Sequence, residues 1–145
     1  MNVTQRIASI VGFVLVASTA PTVFAQDAPA APIRLSGTYQ IKNVSPSDDG
    51  TTTTFDFSAT ITNDGGAEFD GKVLLRDRMD ADNVWATFGD YTFVVNGNVT
   101  ISDTVTVPSP QFAAFSKAGN PPVFVYTQDS RGELTMFQVP LSQTN

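Results

Sequence analysis

From residue 33 onward, apolar and polar side chains alternate with a period of two. Ile33, Leu35, Gly37, Tyr39 and Ile41 share one face, and Arg34, Ser36, Thr38, Gln40 and Lys42 take the other. That is the signature of a half-buried antiparallel strand. Ser45-Pro46-Ser47-Asp48-Asp49-Gly50 supplies turn residues. Phe55, Phe57, Ala59 and Ile61 then alternate with Asp56, Ser58, Thr60 and Thr62, after a threonine run at 51–54 that favours strand over helix. Asn63-Asp64-Gly65-Gly66 ends this strand with residues that tolerate positive φ.

A third strand is predicted over 71–76, where Val73-Leu74-Leu75 is apolar on both faces and therefore central. A polar turn at 77–83 leads to a fourth stretch, 84–88 and 91–95, bent at Gly89. After Asn96-Gly97-Asn98, Val99, Ile101, Val105 and Val107 alternate with Thr100, Ser102, Thr104 and Thr106. Asp103 falls on the apolar face, which predicts a bulge or a sheet edge there. Pro108-Ser109-Pro110 stops that strand, and 111–117 has room for one short helical turn. Residues 123–127 and 134–141 read as the last two strands. Seven short strands with turn residues between them predict an all-β fold, an antiparallel β-sandwich of about seven strands. A closed barrel is the alternative; the strands are too uneven, and lack the repeated hairpin pattern that closes a sheet.

The first 25 residues differ in kind. One positive side chain, Arg6, precedes an apolar run over 7–20, and Val23-Phe24-Ala25 presents small or β-branched residues at the third and first positions before a cut. This predicts a cleaved signal peptide, residues 1–25. The apolar run is too short for the roughly 20 residues of a spanning helix, so no membrane anchor is expected. Without cysteine there is no lipoprotein site. An Ala/Pro-rich linker over 26–32 follows, and residues 33–145 form the sandwich domain. The expected location is exported, periplasmic or secreted.

Composition narrows the chemistry. Among 145 residues there is no histidine and no cysteine, which excludes disulfide scaffolds, the usual zinc sites, cysteine nucleophiles and His-based triads. The formal charge is −6 with a pI near 4.3, and nucleic acid is excluded because its phosphates require a basic face. Loss of the leader removes Arg6 and no acid, leaving 7 basic against 14 acidic side chains.

The stretch Phe57-Ser58-Ala59-Thr60-Ile61-Thr62-Asn63-Asp64-Gly65-Gly66, followed by Gly71-Lys72-Val73-Leu74-Leu75-Arg76-Asp77, resembles the B-to-C region of bacterial Ig-like domains of the cell-adhesion-related, extracytoplasmic type. Asn96-Gly97-Asn98 and the strand running to Pro108 are similar to the later part of those domains. The resemblance covers about half of the chain after the leader and rests on strand and turn residues. It implies an Ig-like fold with a non-catalytic role in binding or spacing, and no functional residue carries over.

Three groups of side chains can carry chemistry. Asp77, Asp80 and Asp82 crowd one turn; oxygen-rich loops are what Ca²⁺ takes, with six to eight ligands, but the spacing is not that of an EF-hand. The ordinary reading, solvated turn residues, is preferred. Trp85 and Tyr91, with Phe88 and Phe93 nearby in sequence and Phe124 and Tyr126 later in the chain, are candidates for stacking on sugar rings if exposed. The ordinary reading of Trp85 is a core aromatic between the sheets. Glu68 and Glu133 are the only glutamates and would have to face each other across a cleft to act as an acid/base pair. No catalytic residue and no cofactor other than candidate Ca²⁺ is expected. The reading that follows is an exported, non-enzymatic Ig-like module whose edge strands bind another extracytoplasmic protein or an envelope component. The alternatives are a carbohydrate-binding module and a small carboxylate-based hydrolase. Composition leaves the oligomeric state open.

Overall fold

The computed structural model describes residues 32–145; the expected leader and all but the end of the linker lie outside the described residues. Strands β1 (Leu35–Pro46), β2 (Thr52–Asn63), β3 (Phe69–Arg76), β4 (Val84–Phe93) and β5 (Asn98–Pro108) are followed by helix α1 (Ser109–Ala118). Strands β6 (Val123–Gln128), β7 (Leu134–Gln138) and β8 (Leu141–Gln143) complete the order. They form two four-stranded sheets, β5-β2-β1-β8 and β4-β3-β6-β7. The pairing is antiparallel except for β1 with β8. The β5-β2-β1 and β4-β3-β6-β7 orders match the E-B-A and C′-C-F-G orders of an immunoglobulin-type sandwich.

β2 shows the alternation without a fault. Thr53, Phe55, Phe57, Ala59, Ile61 and Asn63 are buried and the intervening residues are not. Their partners on the facing sheet are Val73, Leu75, Phe93, Val123 and Val125, all without exposed surface. Each fully buried side chain of this kind contributes roughly 1.5–3 kcal/mol. Asn63 is buried but satisfied: its amide donates to the carbonyls of Ala67 and Phe93, both at 2.9 Å, and accepts from Gly65 N–H at 3.0 Å. It pins the β2–β3 turn to the end of β4. Gly65 is needed here for space, not for positive φ as the sequence suggests: an added Cβ would sit 2.6 Å from the Pro32 carbonyl oxygen.

β4 carries two bulges. Its register against β3 shifts between Val73 and Leu74 and again between Leu75 and Arg76, and the residues left without a partner are Phe88 and Trp85. A bulge re-aims the side chain it inserts. Here both rings turn to the interior, Phe88 lying 5.9 Å from Phe57 across the sheets and Trp85 lying 6.1 Å from Phe115 of the helix. The expected bend at Gly89 is real, with φ of 118°, and belongs to the first bulge.

Two expectations about the second half need correction. The short turn over 111–117 is a ten-residue helix with Pro110 in its first turn and Gly119 in a left-handed C-cap, whose N–H bonds the Phe115 carbonyl at 3.2 Å. Phe112 and Phe115 drop from it onto Phe55 at 4.9 and 5.5 Å, so the helix closes one end of the sandwich. The stretch 134–141 is two strands. Between them the chain leaves the β6 sheet, and Leu141 pairs beside Gly37 of β1 in the other sheet. An added Cβ on Gly37 would lie 2.1 Å from the Thr60 carbonyl oxygen and 2.9 Å from the Leu141 side chain, so glycine lets β1 fit between the backbone of β2 and the Leu141 side chain. Eight strands result, one more than the alternation predicts.

Candidate functional site

The two outer faces of the sandwich are chemically unlike. On the β5-β2-β1 sheet the outward residues are hydroxylic and tie neighbouring strands together. Thr54 pairs with Thr106 at 2.8 Å, Thr62 donates to Asn98 at 2.7 Å and Thr104 donates to Asp56 at 2.7 Å. This is an ordinary solvated face, each cross-strand pair contributing about 0.2–1 kcal/mol.

On the β4-β3-β6-β7 sheet the outward positions hold Leu74 and Arg76 of β3, Phe124 and Tyr126 of β6, and Leu134 and Met136 of β7. Leu134 is 67% exposed and Met136 44%. Arg76 is the unusual member. It is 4% exposed, its guanidinium lies 4.3 Å over the Phe124 ring and 6.0 Å from Tyr126, and its Nη2 donates to the Met136 sulfur at 2.9 Å. Its Nε has no hydrogen-bond partner among the described residues. The one ion pair among the described residues joins Lys72 and Asp90 at 4.0 Å on the same face. Antiparallel sandwiches usually present polar outer faces; this one presents a capped aromatic strip.

Among the described residues no strand pairs with the outer side of β7, the edge beside that strip. Backbone bonds from Val139 to Val123 (2.9 Å) and from Asp129 to Glu133 (3.0 Å) fix the β6–β7 ladder, together with the pairing of Tyr126 and Met136. Odd-numbered residues of β7 bond to β6. The N–H and C=O groups of Leu134, Met136 and Gln138 therefore point away from it, toward the free edge. The other three sheet edges are protected in ways natural proteins use. β5 carries Asp103 at an inward position opposite Phe57; the carboxylate stays exposed and accepts the Thr104 N–H at 2.8 Å. The sequence prediction of a bulge or an edge there is met by the edge alone. β4 is kinked by its two bulges, and β8 is three residues long. β7, Leu-Thr-Met-Phe-Gln, has no charge, no proline and no register shift.

The residues singled out from the sequence fall elsewhere. Asp77, Asp80 and Asp82 do not converge. Asp77 accepts the Met79 N–H at 2.8 Å and Asp80 accepts the Asp82 N–H at 3.0 Å, so these carboxylates build the β3–β4 turn. Among the described residues no group of three or more acidic side chains is placed to hold a metal ion. Trp85 is half-buried beneath α1, and Tyr91 is half-buried on the inward side of β4, its hydroxyl donating to the Phe88 carbonyl at 3.1 Å. The two rings do not form a shared stacking platform. Glu68 and Glu133 are exposed, one before β3 and the other in the β6–β7 turn. Sequence reasoning missed Arg76, Leu134 and Met136. The signal for them was faint: Leu134 and Met136 occupy outward positions of a predicted strand where polar residues are expected.

No family model matches the chain, and no curated protein matches it. Among solved structures, the crystal structure of a β-glucosidase from Listeria innocua in complex with isofagomine is similar at a TM-score of 0.25 and 11% identity. That match covers 78% of this chain and 16% of the enzyme's. The chain thus spans a small part of that enzyme, and a likeness of this size carries no argument about activity.

Proposed function

We propose that this protein is an exported, non-enzymatic binding module of the Ig-like kind, which takes an extended segment of another extracytoplasmic protein or envelope component along the edge of β7. The observation that carries the reading is the contrast among the edges: three are blocked and β7 is bare, uncharged and flanked by exposed Leu134 and Met136. An added strand would gain main-chain hydrogen bonds to Leu134, Met136 and Gln138, and side-chain contacts on the aromatic strip beside them. With a formal charge of −6 on the chain, the arriving segment is neutral or basic. Export is supported by the apolar leader ending in Val23-Phe24-Ala25. Among the described residues no helix is long and apolar enough to cross a membrane.

The test is capture from the extracytoplasmic fraction of the native organism with the full chain and two edge variants. Met136→Pro removes one free-edge N–H without touching a donor of the β6–β7 ladder. Leu134→Lys places a charge on the edge at an exposed site. A saturable protein partner retained by the wild type and by Ser102→Lys, on the opposite face, but lost with both β7 variants supports the reading. A partner retained by the β7 variants overturns it, as does retention of polysaccharide alone.

A further inference from the structure

Met136 is the point at which the outer strip can be changed chemically. It lies on the outward side of β7, at the margin of its sheet, and is 44% exposed. Its thioether sulfur accepts from Arg76 Nη2 at 2.9 Å. Arg76 belongs to β3, and β6 runs between β3 and β7. The contact therefore crosses the Phe124 ring, over which the guanidinium lies, and joins two strands that do not pair with each other.

A thioether is a weak acceptor, and among the described residues this sulfur is the only acceptor that the Arg76 side chain meets. No carboxylate among those residues stands within ion-pairing distance of it. A nearly buried cation is thus held by a poor partner, and that partner can be turned into a good one in place. One added oxygen makes the sulfur a polar sulfoxide, and a hydrogen bond from a charged donor is about twice as strong as a neutral one. Met136 is unbranched, with three rotatable bonds, so at a half-exposed margin its sulfur can draw back and let the oxygen meet Nη2.

We propose that Met136 is a reversible oxidation site whose sulfoxide oxygen is taken by the Arg76 guanidinium, so that a peroxide tightens the hold of β7 on its sheet. In the step, a sulfur lone pair attacks the hydroxyl oxygen of hydrogen peroxide or an alkyl hydroperoxide. The S–O bond forms, the O–O bond breaks, and the departing oxygen takes the proton of the transferred hydroxyl and leaves as water or an alcohol. Sulfur gives up two electrons and the peroxide gains them. Methionine oxidation ordinarily loosens apolar surfaces, and dedicated reductases reverse it; here it strengthens a strap from β3 to β7. The site stands whether or not a partner strand lies along β7.

Met79, 94% exposed in the β3–β4 turn, is the natural comparison. In the full chain carrying Met79→Leu, oxidation of methionine within the described residues is confined to Met136. After treatment with hydrogen peroxide, amide exchange at Thr135 and Phe137, which bond to β6, is expected to slow about tenfold. Arg76→Leu in the same background should abolish the slowing. Met136→Leu, a change at an exposed site, should make the exchange insensitive to peroxide, and it keeps the test decisive if Arg76→Leu does not fold. Faster or unchanged exchange in the Met136 sulfoxide overturns the proposal, as does equal slowing in a folded Arg76→Leu variant or slowing that survives Met136→Leu. So does a Met136 that mass spectrometry finds unmodified under conditions that fully oxidise Met79 in the wild type.

Discussion

Replacing Arg76 by methionine should leave the protein as stable as before or make it more stable. The guanidinium is almost wholly covered and, among the described residues, has no carboxylate within ion-pairing distance and no partner for Nε. Taking such an ion out of water costs several kcal/mol even after relaxation, and an unpaired buried donor costs about 1–3 kcal/mol. Against this stand a cation–π contact with Phe124, which contributes about 2 kcal/mol when desolvated, and a weak bond to the Met136 sulfur. The costs win by about 1–3 kcal/mol. Methionine keeps an unbranched stem over Phe124 without the charge. Arg76→Ala removes the stem as well and uncovers the ring, so it should destabilise by about 2 kcal/mol. Urea unfolding followed by Trp85 fluorescence reads both, since a small domain loses about 1–3 kcal/mol per molar of urea. The expected pattern is an unchanged or higher midpoint for Arg76→Met and a lower one for Arg76→Ala. A fall of more than about 1 kcal/mol for Arg76→Met, at unchanged slope, would show that the guanidinium stabilises the strip and that the desolvation argument is wrong.

Asn63→Ala abandons three hydrogen bonds in a buried turn and should cost about 3 kcal/mol in the same unfolding assay. Gly37→Ala forces β1 away from Thr60 and Leu141; hydrogen exchange should show β8 losing protection before any other strand. Asp49 is held at a pKa of about 2, below the ordinary 3.8, first by the Ser47 hydroxyl and then by the Thr51 N–H and hydroxyl. A carboxyl depressed on folding stabilises the native state fully above its unfolded value and loses that contribution as pH falls through the folded one. The Asp49 carboxyl carbon should therefore titrate near pH 2 by NMR, and Asp49→Asn should flatten the pH dependence of stability between about 4 and 2; a midpoint near 4 would refute the assignment.

β2 is legible from the sequence because every one of its side chains obeys the alternation, and Asp103 announces an edge because a carboxylate cannot face a core. Helix α1 is harder to see. Its only pair of large apolar side chains at helical spacing is Phe112 and Phe115, and the prolines before it read first as the end of a strand, although a proline in the first turn and a glycine at the C-cap are helix signals too. The break at Pro140 hides inside an apolar run. Trp85 and Phe88 as bulge residues are invisible in one strand, since a bulge exists only against a partner's register. The same holds for the β7 edge: strand order is a property of the sheet, and nothing local marks Leu134 and Met136 as lying at its margin. Asp77, Asp80 and Asp82 show the converse, neighbours in sequence whose side chains serve the backbone and not one another.

The pairing of β8 beside β1 also predicts an order of assembly. The strand that begins the sandwich waits for the strand that ends it, so the hairpins β1–β2, β3–β4 and β6–β7 can form early while the clasp between sheets comes last. Contacts this distant along the chain are slow to find. Through that interval the Gly37 margin of β1 is a second unpaired edge, and association between molecules competes with folding. On this prediction β8 sets the timing: conditions that delay the docking of Leu141 should lengthen the period in which the chain can pair with the wrong neighbour.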